Sequence, residues 1–375
     1  MLESGNFMRL RVISILVFLA AMAAPAFATN PALPSDGLEQ RVDFWKKIYT
    51  QYGADDVVIH DKVYVNLIYD VATDATLNEK TANIKSALKE IQANLDSPEN
   101  LSESAAGIMQ AIVAQGLPLS SSLIDYLLDN IHAQQGVKER FRDGVIRSGR
   151  YVDQFRRIMT NQGVPEELAL LPLVESSFQN VRSKAGAVGV WQFTSGTGRS
   201  YLRITSKVDE RLDPVRSSEA AARLMRDNYA ALGAWPLAIT AYNHGRGGML
   251  AAQKEHGSDL PKIIDEYRGP AFGYASMNFY SEFLAAVEIY ENYPQYFGEL
   301  TLERSDSVLQ KGLTMSAAKA PAKAAPAATA SKYKVRSGDT LWEIAQRFGI
   351  SITTLMDKNN LNKPVIYAGQ ILLVK

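Results

Sequence analysis

Glu175 stands at the end of an apolar run, Leu168-Ala169-Leu170-Leu171-Pro172-Leu173-Val174, and is followed by Ser176 and Ser177. A carboxyl among apolar neighbours has its charged form disfavoured, so its pKa rises. A carboxylic acid still protonated near neutral pH is the proton donor that glycosidic cleavage needs. A lone Glu at a helix end serves equally well as a solvated or capping group, so its surroundings must decide. Further on, Ala185-Gly186-Ala187-Val188-Gly189-Val190-Trp191-Gln192-Phe193 runs from small residues to an aromatic and an amide. Small residues let a flat ligand approach the backbone closely. Trp191 offers either a sugar-stacking face or a core ring, and Gln192 both donates and accepts. Ala241-Tyr242-Asn243-His244-Gly245 closes a short helix on a Gly-rich turn. Tyr242 and Asn243 can reach into a cleft from there, or Tyr242 can simply be buried. Tyr280 lies on a helix whose Phe283, Leu284 and Val287 are spaced for burial, and the spacing alone reads it as core.

The composition excludes other chemistries. The 375 residues include no cysteine, which removes disulfides, thiolate metal sites, iron–sulfur clusters and thiol nucleophiles. His60, His132, His244 and His256 form no pair with metal-ligand spacing, and no Lys-Ser/Thr follows the glycines as in a phosphate loop. No metal and no cofactor are expected. Lys and Arg number 40 and Asp and Glu 40, so nothing in the balance calls for nucleic acid.

The elements that must position these residues are mostly helices. Arg150 to Asn161 reads as one helix, stopped at Gly163. Pro165 suits the first turn of the next, and Glu166 and Glu167 complement its positive end. Pro172 removes a backbone bond inside that helix and should kink it just before Glu175. Asp213 reads as the cap of a helix that Pro214 begins and Gly233 ends, Asp209 as a surface residue, and Pro236 to His244 as a short helix. Upstream, amphipathic spacing predicts helices near 38–52, 76–94, 102–114 and 120–133. A hairpin is expected between Val57-Val58-Ile59 and Val63-Tyr64-Val65. No chemistry is legible there.

The two ends differ from the middle. Arg9 and Arg11 precede an apolar run from Val12 to Ala24, and Ala26-Phe27-Ala28 reads as a cleavage site, so residues 1–28 read as an export signal. The run is shorter than the ~20 residues that span a bilayer, and no transmembrane anchor is expected. Residues 313–332 form an Ala/Pro/Lys linker. Its Ala317–Ala330 stretch holds nine Ala, two Pro, two Lys and one Thr, too little to build a core. Leu313–Lys375 carries nine basic against three acidic side chains, a tail that could favour carboxylate-bearing partners.

Together, Glu175-Ser176-Ser177-Phe178, the Ala185–Gln192 loop, Ala241–Gly245 and Tyr280 resemble the lytic murein transglycosylases with the goose-type lysozyme fold, over Ser148 to Phe297. The chain reads as mainly α, with a mostly helical N-terminal region over 29–147 from its pattern, and the resemblance implies a lysozyme-like helical catalytic domain over 148–300. It implies that Glu175 is the sole acid and base. It also implies that Ser176, Gln192 and the backbone at Gly189 contact substrate, that Tyr242 and Asn243 line the cleft, and that Tyr280 orients or hydrogen-bonds Glu175. The implied reaction cleaves the β-1,4 bond between N-acetylmuramic acid and N-acetylglucosamine and closes a 1,6-anhydro ring. Most glycosidases use two carboxylates, so a water-using muramidase with Asp209 or Asp213 as the second stands as an alternative. A wall-binding scaffold without catalysis is another.

Residues 333–375 resemble a LysM domain. Tyr333-Lys334-Val335 reads as a strand, Thr340-Leu341-Trp342-Glu343 as a capping box, and Ile371-Leu372-Leu373-Val374 as a closing strand, giving a small βααβ module. Ser337-Gly338-Asp339-Thr340-Leu341 is its most specific mark. The resemblance implies glycan binding through Gly338, Asp339, Thr340 and Asn360. Peptidoglycan glycan strands are then the expected partner, and the expected location is periplasmic and wall-associated.

Overall fold

The computed structural model describes residues 33–304 and, in the C-terminal segment, residues 332–335, 344, 348, 355–356, 358–359, 361, 366 and 369–374. The export signal read at 1–28, the Ala-rich run at 317–330, and Gly338, Asp339, Thr340 and Asn360 lie outside the described residues.

The chain is mainly helical. It opens with α1 (Glu39–Thr50), β1 (Val57–Asp61), β2 (Ile68–Ala72), α2 (Leu77–Ala93), α3 (Glu103–Ala114), α4 (Ser121–Asp129) and β3 (Ile131–Gln135). Next come α5 (Lys138–Ser148), α6 (Val152–Asn161), α7 (Leu171–Glu175) and α8 (Ser195–Arg199). The rest of the body is α9 (Pro214–Leu232), α10 (Trp235–His244), α11 (Arg246–His256), α12 (Leu260–Glu266), α13 (Tyr274–Glu291) and α14 (Tyr293–Phe297). Side chains fix several starts as the sequence suggests. Ser102, Ser120 and Thr194 accept backbone N–H groups at the heads of α3, α4 and α8. Asp213 accepts from Val215 and Arg216 at the head of α9, and Gly233 ends that helix in the left-handed conformation.

Two expectations shift. The second hairpin strand lies at Ile68–Ala72 rather than 63–65. The Asp61 carboxylate accepts from the N–H groups of Val63 and Tyr64 at 2.8 and 2.7 Å and turns the chain exactly where pairing was expected to resume. The helix expected over 120–133 stops at Asp129, and Ile131–Gln135 pairs with β1 instead. The sheet order is β2-β1-β3, so β1, buried along its whole length, has both edges satisfied.

The cores do not divide at residue 147. Val57, Ile59, Ile84, Leu88, Ile91, Ile108, Ile112, Ile124 and Leu127 form a small core of their own. Phe44, Trp45 and Ile48 of α1 and Phe141 and Val145 of α5 instead join the large core built by α6 to α13. Lys46 bonds Glu288 at 3.0 Å, Arg41 bonds Asn278 at 3.1 Å, and Tyr49 stacks on Phe141 at 4.4 Å. α1 and α5 are therefore walls of the large helical body, with the small lobe inserted between them.

In the C-terminal segment β4 (Lys332–Lys334) and β5 (Ile371–Leu373) pair antiparallel. Val335, Ile344, Leu355, Leu372 and Val374 form its core, with Ile344, Phe348, Leu355 and Met356 in helical conformation. No helix among the described residues is long and apolar enough to cross a membrane.

Candidate active site

Glu175 is the last residue of α7. A 3-10 turn over Glu166–Leu170 precedes that helix, so the bend expected at Pro172 appears as a change of helix type. Pro172 sits in the first turn of α7, where its missing N–H costs nothing. The chain then leaves the helix sharply. Ser177 and Phe178 both have positive φ, 51° and 58°, which a bulky residue adopts only when its surroundings hold it there. The holders are visible. Ser176 and Phe178 N–H groups both donate to the Pro172 carbonyl, at 3.0 and 3.1 Å. Arg147 Nε donates to the Ser177 carbonyl at 2.9 Å, and Arg140 Nε to its hydroxyl at 3.1 Å. Phe178 lies parallel to Tyr151, with interplanar angle 7°.

The Glu175 side chain is desolvated. Burial alone pushes its pKa up to about 8, so it is a protonated acid at neutral pH. Around it lie Tyr49 of α1 and Tyr242 of α10. Burial holds both phenols well above their ordinary range, and the Glu175 charge adds to that.

The Gly-rich loop is locked onto this segment. Ser176, itself buried, donates its hydroxyl to the Val190 carbonyl at 2.7 Å. Gly189 has φ of 87°, and a Cβ there would fall 1.9 Å from the Arg211 carbonyl oxygen, so only glycine fits. Gln192, with φ of 49°, donates its amide to the Gly189 carbonyl at 2.7 Å and to Val181 at 3.2 Å. Trp191 is wholly buried, and its indole N–H donates to Ser218 at 2.7 Å. That removes it as a sugar-stacking face and makes it the loop's anchor. Tyr242 completes the tie by donating its hydroxyl to the Trp191 carbonyl at 2.6 Å, while its ring lies parallel to Phe279.

Asn243 points its carbonyl oxygen at the Ser276 hydroxyl, 2.9 Å away, which joins α10 to α13. Tyr280 is buried, and its hydroxyl donates to the Pro34 carbonyl at 2.9 Å. A phenol has one proton to donate, so the Tyr280 donor is directed away from Glu175, onto the segment before α1. Asp209 is clamped by Arg211 through two contacts of 2.8 Å, and Asp213 caps α9. Both carboxylates proposed as second catalytic groups are thus committed elsewhere.

One carboxyl was not expected. Glu282, on α13, is held up to about 8 by burial and by the charge of Glu175. Its sequence signal is a lone acid within Phe279-Tyr280-Ser281-Glu282-Phe283-Leu284-Ala285-Ala286, a stretch otherwise fit for burial. Tyr49 was missed because the first helix seemed to carry no chemistry. Among the described residues, no group of three or more His, Asp or Glu could hold a metal ion.

Residues 155–264 match the transglycosylase SLT domain model, and residues 333–375 match the LysM domain model. The chain is 29% identical over 299 residues to membrane-bound lytic murein transglycosylase D of Escherichia coli strain K12, covering 63% of this chain and 66% of that protein, just under two thirds of its length. A putative tributyltin chloride resistance protein of Alteromonas sp. is 36% identical over 94 residues, covering 24% of this chain and 45% of that one. A probable N-acetylmuramidase of Lactococcus lactis subsp. cremoris is 55% identical over 42 residues, covering 11% and 10%. The chain thus carries a transglycosylase SLT domain and a C-terminal LysM domain, and it is homologous to membrane-bound lytic murein transglycosylase D.

Proposed function

We propose that this chain is a peptidoglycan lytic transglycosylase. The observation that carries the reading is the Glu175 carboxyl, held protonated to about pH 8 by burial at the end of α7, inside the matched SLT domain. Glu175 donates its proton to the oxygen between N-acetylmuramic acid and N-acetylglucosamine. Charge then develops at the anomeric carbon, where the substrate's N-acetyl oxygen or its C6 hydroxyl can quench it. The Glu175 carboxylate takes the C6 hydroxyl proton, and the oxygen closes the 1,6-anhydro ring without water. Ring closure is intramolecular and gains from orientation. A pKa near working pH lets one group serve both steps.

The remaining site residues have defined parts in this reading. Ser176 and Gly189 shape the loop, Gln192 presents its side chain at the edge of the loop, and Tyr242 and Asn243 form the α10 wall. A water-using muramidase lacks a free second carboxylate at Asp209 or Asp213, and Glu282, held neutral, cannot act as a base at pH 7. The LysM domain holds the enzyme on glycan, and the protein works exported, on the wall in the periplasm. Tethering raises the local concentration of substrate.

Muropeptide mass spectrometry tests the reaction. Digestion of purified sacculi should release products one water lighter than those of a muramidase, and Glu175→Gln should release none. Hydrated products would favour the muramidase. Sacculus pelleting without release of soluble fragments by the native chain would favour the scaffold.

A further inference from the structure

Helix α5 presents three residues to one point of the chain. Arg140, Gly144 and Arg147 are spaced at four and three positions, so they share one face of that helix. All three meet Ser177, two residues after Glu175. Arg140 Nε donates to the Ser177 hydroxyl at 3.1 Å, and Arg147 Nε to the Ser177 carbonyl at 2.9 Å. A Cβ at Gly144 would lie 3.0 Å from the Ser177 Cβ and 3.2 Å from its Cα, so the missing side chain lets the helix settle onto the turn. The helix itself is braced. Tyr49 of α1 stacks on Phe141, the Lys138 N–H donates to the Tyr52 carbonyl at 3.0 Å, and the Glu303 N–H donates to the Ile146 carbonyl at 2.9 Å.

Ser177 needs such a hold. Its φ of 51° is a conformation that a serine leaves unless its contacts keep it there. With Ser177 and Phe178 both in that region, the chain turns back, and the Ser176 and Phe178 N–H groups share the Pro172 carbonyl. The same turn brings the Ser176 hydroxyl onto the Val190 carbonyl. Glu175 is therefore followed by a strained turn whose release would swing the end of α7 away from the Gly-rich loop. Arg147 is kept there against a cost. Its Nη2 is buried with no hydrogen-bond partner among the described residues, and a buried donor left unpaired disfavours the fold. A side chain chosen for packing alone would not carry that donor. Arg140, Gly144 and Arg147 all precede residue 155, where the match to the SLT domain begins.

We propose that Arg147, with Arg140 beside it, is a positioning residue for Glu175. From outside the matched domain the two guanidiniums hold Ser177 in the left-handed conformation, and this keeps Glu175 and Ser176 aimed at one loop. The inference rests on the transglycosylase reading above. Each Nε is spent on Ser177 rather than on Glu175, so the effect on the acid passes through the backbone. The arginines then matter because residue 177 is not glycine. Glycine adopts positive φ about as readily as negative φ, so a glycine there would need no clamp. A purely electrostatic effect of the two cations would not depend on the residue at 177.

The test is steady-state digestion of soluble glycan by the full chain, with folding checked by circular dichroism. Arg147→Ala should lower kcat about 10- to 100-fold with little change in KM, the size expected when a reacting group is misplaced. Adding Ser177→Gly to that variant should recover most of the loss. Full kcat in folded Arg147→Ala overturns the proposal, even if its melting temperature falls, and so does a loss that Ser177→Gly leaves untouched. Arg140→Ala, at an exposed position, covers the case in which Arg147→Ala does not fold. Its kcat should fall less, and not at all where residue 177 is already glycine, because the contact it removes is then absent. Full kcat in Arg140→Ala, or equal losses in the two backgrounds, overturns the proposal in that case. If the native chain itself releases no anhydro products, the transglycosylase reading falls instead, so the two failures are distinguishable.

Discussion

The Tyr242 hydroxyl donates to the Trp191 carbonyl at 2.6 Å, and through this bond α10 holds the loop that faces Glu175. The Ser176 hydroxyl pulls on the neighbouring residue, Val190, from the other side. The loop is clamped by two hydrogen bonds on adjacent carbonyls, one of them from the residue next to Glu175.

Tyr242→Phe removes one clamp and leaves the Trp191 carbonyl without that partner. A buried acceptor left unsatisfied costs about 1–3 kcal/mol. We expect a lower melting temperature, and a fall in kcat larger than any change in KM, because the loop geometry loosens. Thermal unfolding and steady-state digestion of soluble glycan measure the two. An unchanged melting temperature would show that the clamp contributes nothing.

Glu175→Gln removes the acid. Loss of a general acid typically costs about 10²–10⁴ in rate. The same variant should be more stable than the native chain at high pH. The native fold holds a proton up to about pH 8 that the unfolded chain releases around 4.5. Native stability therefore falls as pH rises between those values, by about 1.4 kcal/mol per unit of separation at most. Gln has no proton to lose, so the gain should be absent at pH 4 and largest at pH 9. A gain of equal size at both pH values would contradict the buried-acid reading.

Gly189→Ala should be severe. The new Cβ would meet the Arg211 carbonyl oxygen at 1.9 Å, and that atom is backbone, so the loop must move. Positive φ adds strain of about 1–3 kcal/mol. Activity should drop at least as far as stability does, and a folded, fully active Gly189→Ala would refute the close approach.

Tyr280→Phe should act on stability alone. Its hydroxyl ties α13 to Pro34, at a net worth of about 1 kcal/mol. The melting temperature should fall slightly, and the pH profile of activity should keep its shape. A displaced alkaline limb would mean that the phenol acts on Glu175 after all.

The sequence made much of this legible because local rules were obeyed. Asp213-Pro214 through Gly233 announces a helix by its cap, its first proline and its left-handed stop, and the structure follows. Glu175 was readable because an acid at the end of an apolar run has few ways to stay solvated. Trp191 was ambiguous, since a large ring after glycines suits a cleft or a core equally, and only Ser218, 27 positions away, settles it. Tyr280 was read as core from its spacing, and it is buried; only its hydroxyl's partner, Pro34, 246 positions distant, had no local signal. Glu282 and Tyr49 stayed hidden for the same reason. Neither has a local motif, and their meaning arises only when α1 and α13 are packed against α7. The Ile131–Gln135 strand was lost because nothing near it in sequence says that β1 needs a second edge.

The insertion between α1 and α5 has an exit beside its entrance. Val57, at its start, is paired with Gln135, at its end, and the Gly136 N–H donates to the Asp56 carbonyl at 2.8 Å. Such a segment behaves as a cassette, because the chain leaves and re-enters the catalytic body through a single doorway. Its sequence is free to lengthen, shrink or be exchanged without disturbing the order of the helices around Glu175. Contacts with the large core limit that freedom: Arg41 donates to the Val63 carbonyl at 2.8 Å, and Phe44 packs on His60 at 4.4 Å. The Tyr274 hydroxyl meets the imidazole of His60 at 3.2 Å, so the inserted lobe touches the first residue of the helix that carries Glu282. A lineage that replaced this lobe would have to refill those contacts, and α1 and α13 would register the change.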